Sequence, residues 1–169
     1  MIKKKYVYWF RIRSIFPVKS LNSSIVSLGG RTLSETTFAK YINYPETEFY
    51  KKGNNLDNID SAKNFRNTNE DVFIVECYMD VINLHKFGIQ NVVASLGTAM
   101  TEKQIDLIWR FFKNPIICLD GNLGGRKAAV RAAERWFPLM KSDLNIYVLK
   151  LPENSDPDSY INEKGRESF

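Results

Sequence analysis

The sequence is poor in cysteine and histidine, and it contains no long apolar run. Only Cys77, Cys118 and His85 represent these two residue types among 169 residues. Neither cysteine has a CxxC partner or a nearby histidine, so we expect neither a disulfide framework nor a zinc site. No apolar stretch approaches the roughly 20 residues that a membrane-spanning helix needs. The first 13 residues also lack the apolar core and cleavage site of a secretory signal, so we expect a cytoplasmic protein without a membrane partner.

The composition is that of a globular protein, with 44% hydrophobic and 25% charged residues. The length suits one ordinary domain or two small lobes. The net charge of +5 is unevenly spread, since residues 1–66 contain 12 Lys and Arg against 5 Asp and Glu, whereas residues 67–169 contain 12 against 14. This asymmetry predicts a basic lobe over residues 1–66 with a polyanion-binding face. The alternative is that the basic residues only keep this lobe in solution.

The basic part has the pattern of a small, mostly β lobe. RSIFPVK (13–19) and SSIVSLGG (23–30) are strand-like runs around the turn LNSS. The glycines of GGR (29–31) would let a ligand approach the backbone closely. KYINYPETEFYKKGNN (40–55) has no steady period, which indicates an ordered loop with short elements. Residues 54–71 predict a short helix and then a polar connection.

Strands and helices alternate in the second part. Apolar runs predict strands at 72–76, 91–96, 115–120 and 145–151. Helical spacing predicts helices over 79–88, over 101–112 with Thr101 as the cap, and over 126–137 after a GNLGG loop, with a short helix near the end of the chain. This alternation predicts a parallel sheet with helices on both faces.

Acidic residues follow three of these four strands. Glu76 ends the first strand, Asp120 ends the third, Asp156 and Asp158 follow the fourth, and Asp80 lies in the helix turn after Glu76. Ligands bind beyond the carboxyl ends of such strands, and grouped carboxylates favour Mg²⁺ and phosphoryl transfer. Each acid has an alternative role as a helix cap or turn residue. These residues alone leave open a phosphate-binding α/β domain, a receiver domain and a haloacid-type phosphatase.

Several longer stretches resemble one family. VFIVECYMDVI (72–82) resembles the VEGYMD signature of the Toprim domain in bacterial DnaG-type replicative primases, LDGNLGGRKAAVRAAE (119–134) resembles their DGD-x-x-G-x-x-A-A motif, and LPENSDPDSYI (151–161) resembles their DPD element. FRIRSIFPV (10–18), SLGGRTL (27–33) and AKYINYPETEFYKKGNNL (39–56) resemble motifs of their basic lobe. The resemblance runs from about residue 9 to the end.

The resemblance implies a Toprim-type parallel sheet over residues 67–169, open to truncation at its carboxy-terminal side, after a small basic α+β lobe. It implies a core that copies single-stranded DNA into short RNA primers from ribonucleoside triphosphates, with Mg²⁺ or Mn²⁺. The catalytic residues would be Glu76, Asp80 and Asp120, with Glu76 as the family's catalytic glutamate. The metal group would comprise Glu76, Asp80, Asp120, Asn122, Asp156 and Asp158. The basic face holding template, RNA or nucleotide would comprise Arg11, Arg13, Arg31, Lys40, Tyr41 and Asn43. His85, inside a helix, would be structural.

Four positions depart from the family pattern. Cys77 stands where the family has Gly, and we expect a backbone cost of about 1 kcal/mol if that turn needs a positive φ. Asn122 stands where the family has the second Asp of DGD, which predicts weaker Mg²⁺ binding. Tyr44 replaces a usual Ser and Asp57 a usual aromatic residue, which predicts a looser junction between the lobes.

From the family pattern, we expect this sequence to lack two of the family's domains, namely an amino-terminal zinc-binding domain and a carboxy-terminal domain that docks on the replicative helicase. The alternative to an active core is therefore a catalytically impaired fragment that retains only the fold and nucleic-acid or nucleotide binding. Another Toprim activity, such as that of a nuclease or topoisomerase, is a weaker alternative because the basic lobe matches primases.

Overall fold

A three-stranded antiparallel sheet precedes a four-stranded parallel sheet in the described parts of the chain. The computed structural model describes residues 10–34, 39–66, 71–97 and 99–169. Helices surround the parallel sheet, which confirms the predicted fold class. In these ranges, no helix combines the length and apolar character needed to cross a bilayer. Most of the segment considered as a signal (1–9) and part of the polar connection (67–70) lie outside the described residues.

The first sheet consists of β1 (Arg13–Lys19), β2 (Ile25–Thr32) and β3 (Tyr41–Asn43), with β2 in the centre. The predicted hairpin between β1 and β2 is confirmed, and its turn closes through a hydrogen bond from the Ser20 N–H to the Ser24 carbonyl of 2.8 Å. β3 is one of the short elements expected in the loop that follows. Its pairing places Asn43 opposite Gly29 of β2.

The segment after β3 attaches the first sheet to the second. It contains 3₁₀ turns at Lys52–Asn54 and Lys63–Phe65 and the short helix α1 (Ile59–Ala62). Gln104 is fully buried, and its amide donates to the carbonyls of Lys52 (3.1 Å) and Asn55 (2.8 Å). Asp57 exchanges two backbone hydrogen bonds with Ala94, of 2.9 and 3.2 Å. The junction predicted to be loose at Asp57 is thus hydrogen-bonded through the backbone of that residue.

The parallel sheet has the strand order β5-β4-β6-β7. Its strands are β4 (Phe73–Val75), β5 (Val92–Ala94), β6 (Ile116–Ile117) and β7 (Tyr147–Val148). The helices are α2 (Tyr78–Lys86), α3 (Glu102–Trp109), α4 (Leu123–Trp136) and α5 (Pro157–Lys164). Two buried clusters flank the sheet, one including Ile105 and Trp136 and the other including Leu84 and Ile161. Coverage on both faces explains why its central strands are uniformly apolar.

The helix ends follow the predicted caps with one exception. Thr101 accepts a hydrogen bond from the Gln104 N–H and caps α3 as predicted. Gly88, which follows the last residue of α2 by two positions, has a φ of +81°. The prediction that GNLGG is a loop before α4 was wrong, because α4 begins at Leu123 and includes both following glycines. A Cβ at Gly125 would overlap the carbonyl of Asp120. This glycine therefore permits close packing inside a helix and does not interrupt it.

Candidate active site

A cleft of about 400 Å³ lies where the first sheet faces the carboxyl ends of β4 and β6. Nine of the twelve residues proposed from the sequence line it. The acidic ones are Glu76, Asp80, Asp120, Asp156 and Asp158, and the others are Arg31, Lys40, Tyr41 and Asn43. Carboxylates from the parallel sheet therefore face cations and polar groups from the basic lobe across one space.

Three predicted site residues are not in the lining of this cleft: Arg11, Arg13 and Asn122. The guanidinium of Arg13 donates to the carbonyls of Ala39 (2.8 Å) and Lys40 (3.3 Å), so it fixes the approach to β3. Arg11 is exposed outside the cleft. Asn122 is also exposed and lies beside Asp120.

The turn between β4 and α2 positions the first two carboxylates. Glu76 directly follows β4, and burial, followed by the charge of Asp120, raises the pKa of its carboxyl. Asp80 is buried in the first turn of α2 and accepts a hydrogen bond from the Cys77 N–H at 3.0 Å. Burial raises the pKa of Asp80 to about 6, although its hydrogen bonds with Cys77 oppose the shift. Asp80 therefore completes a helix cap while it also lines the cleft.

Asp120 and Asn122 lie at the start of α4. Burial and the nearby Asp156 raise the pKa of Asp120, while a hydrogen bond from Asn122 opposes this rise. That bond runs from Nδ2 of Asn122 to Oδ2 of Asp120 and measures 3.2 Å. Oδ1 of Asn122 accepts from the Gly125 N–H at 2.9 Å and caps α4. Asn122 thus supplies one hydrogen bond to the neighbouring carboxylate and another to the helix.

The last two carboxylates belong to α5. Asp156 caps this helix by accepting from the Ser159 N–H at 2.6 Å. Asp158 lies in the first turn of the same helix and accepts from the side-chain amides of Asn83 and Asn162. Asp156 therefore caps a helix, as the alternative reading of this residue predicted, and it also lines the cleft.

Cys77 occupies the turn between Glu76 and Asp80 without backbone strain. Its φ of −135° and ψ of 169° are extended values that any residue adopts. The expected strain cost was therefore wrong, because this position does not need a positive φ. The thiol donates to the hydroxyl of Tyr41 at 3.7 Å, and burial raises its pKa to about 12. The thiol is neutral near pH 7 and is a poor nucleophile.

The basic wall contains one cation that the sequence reading did not select. Lys52 lines the cleft with Arg31 and Lys40, and the KKG stretch that resembles the family was the available signal. The ammonium of Lys40 lies 5.8 Å from the ring centroid of Tyr41. Burial, together with the nearby Cys77 thiol, raises the pKa of the Tyr41 hydroxyl, so this hydroxyl stays protonated and can donate a hydrogen bond.

The five carboxylates in the cleft lining form its acidic wall: Glu76, Asp80, Asp120, Asp156 and Asp158. Their oxygen atoms are suitable ligands for a hard divalent cation. No three His, Cys, Asp or Glu side chains within residues 10–34, 39–66, 71–97 and 99–169 converge closely enough to hold a metal ion by themselves. The wall is therefore not a closed all-protein cage. Mg²⁺ sites commonly use one or two carboxylates and complete their coordination with water and substrate phosphates.

Comparison with known proteins gives two family matches. Residues 73–161 match the Toprim-like family, and residues 1–63 match the amino-terminal domain of the DNA primase catalytic core. A DNA primase from Clostridium acetobutylicum is 41% identical over 169 residues, which cover 99% of this chain and 27% of that protein. The chain thus spans about a quarter of the length of this curated relative.

Solved structures give the same result. An Escherichia coli primase catalytic core superposes with a TM-score of 0.89 at 36% identity, covering 99% of this chain and 53% of that chain. A DnaG primase catalytic domain bound to single-stranded DNA superposes with a TM-score of 0.87 at 36% identity, covering 95% of this chain and 51% of that chain. The chain, with its Toprim-like domain, belongs to the family of DnaG-type DNA primases and corresponds to part of their catalytic core.

Proposed function

We propose that this chain contains the nucleotidyl-transfer site of a DNA primase, which joins ribonucleotides into short RNA primers on a single-stranded DNA template. The observation that carries this proposal is the cleft with five carboxylates on one wall and Arg31, Lys40 and Lys52 on the other. Transfer of a nucleotidyl group requires cation binding and polyanion binding within one site. The acidic wall serves the first requirement and the basic wall serves the second.

The acidic wall would hold Mg²⁺, with Mn²⁺ as the alternative. When bound, the ion neutralises charge on the reacting phosphate oxygens. Asp120 offers its carboxylate from the loop before α4, and Asp156 and Asp158 offer theirs from the start of α5. The raised pKa of Glu76 brings its carboxylate closer to the range in which it accepts a proton from an attacking hydroxyl. Asp80 fixes the turn that carries Glu76 through its bond to the Cys77 N–H.

The basic wall would hold the phosphates of template, primer and ribonucleoside triphosphate. Contacts from Lys and Arg to phosphate orient a strand without reading its sequence, which suits an enzyme that copies varied templates. We assign this role to residues 1–66 and the metal chemistry to residues 67–169. This division is supported by the positions of the two family matches, at 1–63 and 73–161.

Primer synthesis on single-stranded DNA with ribonucleoside triphosphates and Mg²⁺ tests the proposal. We expect RNA products from the wild-type chain, none from Glu76→Gln, and wild-type amounts from Glu102→Gln, which removes an equivalent charge at an exposed site on α3. If the wild type makes no more product than Glu76→Gln, the proposed activity is refuted. DNA binding that persists in such a protein would indicate the impaired, binding-only alternative.

A further inference from the structure

Three hydrogen bonds and a short stretch of backbone form a closed ring that includes the carbonyl of Glu76. The hydroxyl of Tyr78 donates to Oδ1 of Asn43 at 2.6 Å. Nδ2 of Asn43 donates to the carbonyl of Leu96 at 3.5 Å, and the N–H of Leu96 donates to the carbonyl of Glu76 at 3.0 Å. The covalent chain from Glu76 to Tyr78 closes the ring. It connects β3 of the basic lobe, the loop after β5 and the turn after β4.

The orientation of the Asn43 amide follows from its partners. The Leu96 carbonyl can only accept, so it requires the nitrogen of the amide. The oxygen of the amide then faces Tyr78 and accepts a hydrogen bond from its hydroxyl. Both ends of the Asn43 side chain are therefore engaged within the protein.

Packing holds Tyr78 in the ring. The tyrosine is 3% exposed, and its ring stacks on Phe16 of β1 with centroids 5.0 Å apart and planes 9° apart. A Cβ at Gly29 would overlap the ring and hydroxyl of Tyr78. Gly29 pairs with Asn43 in the sheet, so the absence of its side chain opens the space through which Tyr78 reaches Asn43. The close approach predicted at Gly29 is thus made by a side chain of the protein.

Leu96 is the third member of the ring and has an unusual backbone. Its φ is +57°, a left-handed value that costs free energy in a residue with a branched side chain. Its N–H bonds to Glu76 and its carbonyl to Asn43, so the two ring bonds hold this conformation. Residues kept in such conformations by their surroundings concentrate at functional sites.

We infer that Asn43 and Tyr78 are positioning residues for Glu76, which they act on through Leu96. The ring fixes the carbonyl of Glu76 relative to β3, and β3 begins at Tyr41, directly after Lys40. It therefore sets the distance between the proton-accepting carboxylate and the phosphate-binding wall. Asn43 thereby acts within the protein instead of binding nucleic acid. This inference rests on the proposed function for its kinetic consequences, whereas the ring itself is testable without activity.

The kinetic test uses two variants, Asn43→Ala and Tyr78→Phe. The second keeps the packed aromatic side chain and removes only its hydroxyl. We expect kcat of primer synthesis to fall about 10- to 100-fold in each, because small displacements of a reacting group cost rates of this order. The KM for ribonucleotides and the Kd for a fluorescent single-stranded DNA should stay within about twofold of wild type. The double variant should lose no more than the worse single variant.

Matched controls separate positioning from other effects. Tyr160→Phe removes a hydroxyl that is not in the lining of the cleft and that donates to the carbonyl of Ser168, so it should leave kcat unchanged. Lys40→Ala should weaken the Kd for single-stranded DNA. An Asn43→Ala variant that weakens this Kd as much as Lys40→Ala, with kcat unchanged, would show that Asn43 contacts nucleic acid and would overturn the inference.

Amide hydrogen exchange at Leu96, followed by NMR, tests the ring directly. We expect this amide to exchange faster in Tyr78→Phe and in Asn43→Ala than in wild type, Tyr160→Phe or Lys40→Ala. Unchanged exchange in both ring variants would overturn the inference. If the wild type makes no primer, the proposed function fails while the exchange measurement still decides whether the ring holds the turn at Glu76.

Discussion

The partly buried carboxyl of Asp57 should reduce the stability of this chain at neutral pH. Burial raises its pKa to about 6, and the charge of Asp60 adds to the rise, while the Asn58 N–H and the charge of Lys19 oppose it. The side chain of Asp57 is separate from the backbone bonds of 2.9 and 3.2 Å that join this residue to Ala94. Asp57→Asn therefore removes this charge and keeps those bonds.

The size and sign of the effect follow from the pKa. The folded value of about 6 exceeds the reference value of 3.8, so the folded state binds the proton more tightly than the unfolded state. The penalty is absent below about pH 4, grows as the pH rises, and is complete above the folded pKa. At 1.36 kcal/mol per pKa unit, the shift corresponds to about 3 kcal/mol at most. We expect Asp57→Asn to gain roughly 2–3 kcal/mol at pH 7.5 and almost nothing at pH 4.

Urea unfolding of both proteins at pH 4.0, 5.5 and 7.5 measures this difference. Other acids titrate over the same range, but they do so in both proteins, so the difference isolates Asp57. Asp106→Asn, on the exposed face of α3, is the matched control and should change the free energy of unfolding little at any of these pH values. An Asp57→Asn gain that is independent of pH, or a loss at pH 7.5, would refute the reasoning.

Three further substitutions test the cleft and its surroundings. Cys77→Gly should lower the free energy of unfolding in urea by about 1 kcal/mol, because glycine gains freedom in the unfolded chain and the native backbone here is extended; a gain would restore the strain hypothesis. Asn122→Asp keeps a cap for α4 and adds charge beside Asp120, so Mg²⁺ should bind roughly tenfold more tightly; an equal rise in Tm with Mg²⁺ in both proteins would contradict this. Gly29→Ala should cost about 1–3 kcal/mol because its methyl group overlaps Tyr78; thermal unfolding checks this, and an unchanged Tm counts against the overlap.

Local patterns were sufficient to predict most of the fold. The strands β4 to β7 lie within the four apolar runs, and α3 begins after Thr101 as its capping pattern predicts. The rule that parallel strands present their carboxyl ends at one rim also predicted that Glu76, Asp120 and Asp156 would line a common cleft. These features depend on spacing within short segments, which a single sequence displays directly.

Features that depend on distant contacts were not predictable in this way. The glycines at the start of α4 suggested a loop, yet Gly125 is needed there because the Asp120 carbonyl lies against it. The ring that joins Asn43, Leu96 and Glu76 spans 53 positions between its first two members. No periodicity or motif in either segment indicates the other. From the sequence, Asn43 was therefore assigned only to the basic face that would hold nucleic acid or nucleotide.

The two departures from the family at the acidic turns differ in their consequences. At Cys77 the backbone is extended and the thiol is neutral, so the substitution leaves the turn that carries Glu76 geometrically intact. At Asn122 the helix cap and a bond to Asp120 persist, but one negative charge of the family pattern is absent. Burial, and after it the charge of a neighbouring carboxylate, raises the pKa values of Glu76 and Asp120. A missing charge at position 122 lowers the repulsion among these carboxylates and also lowers their attraction for a cation. By the family motifs quoted in the sequence analysis, we therefore expect this cleft to differ from its family in charge more than in backbone geometry.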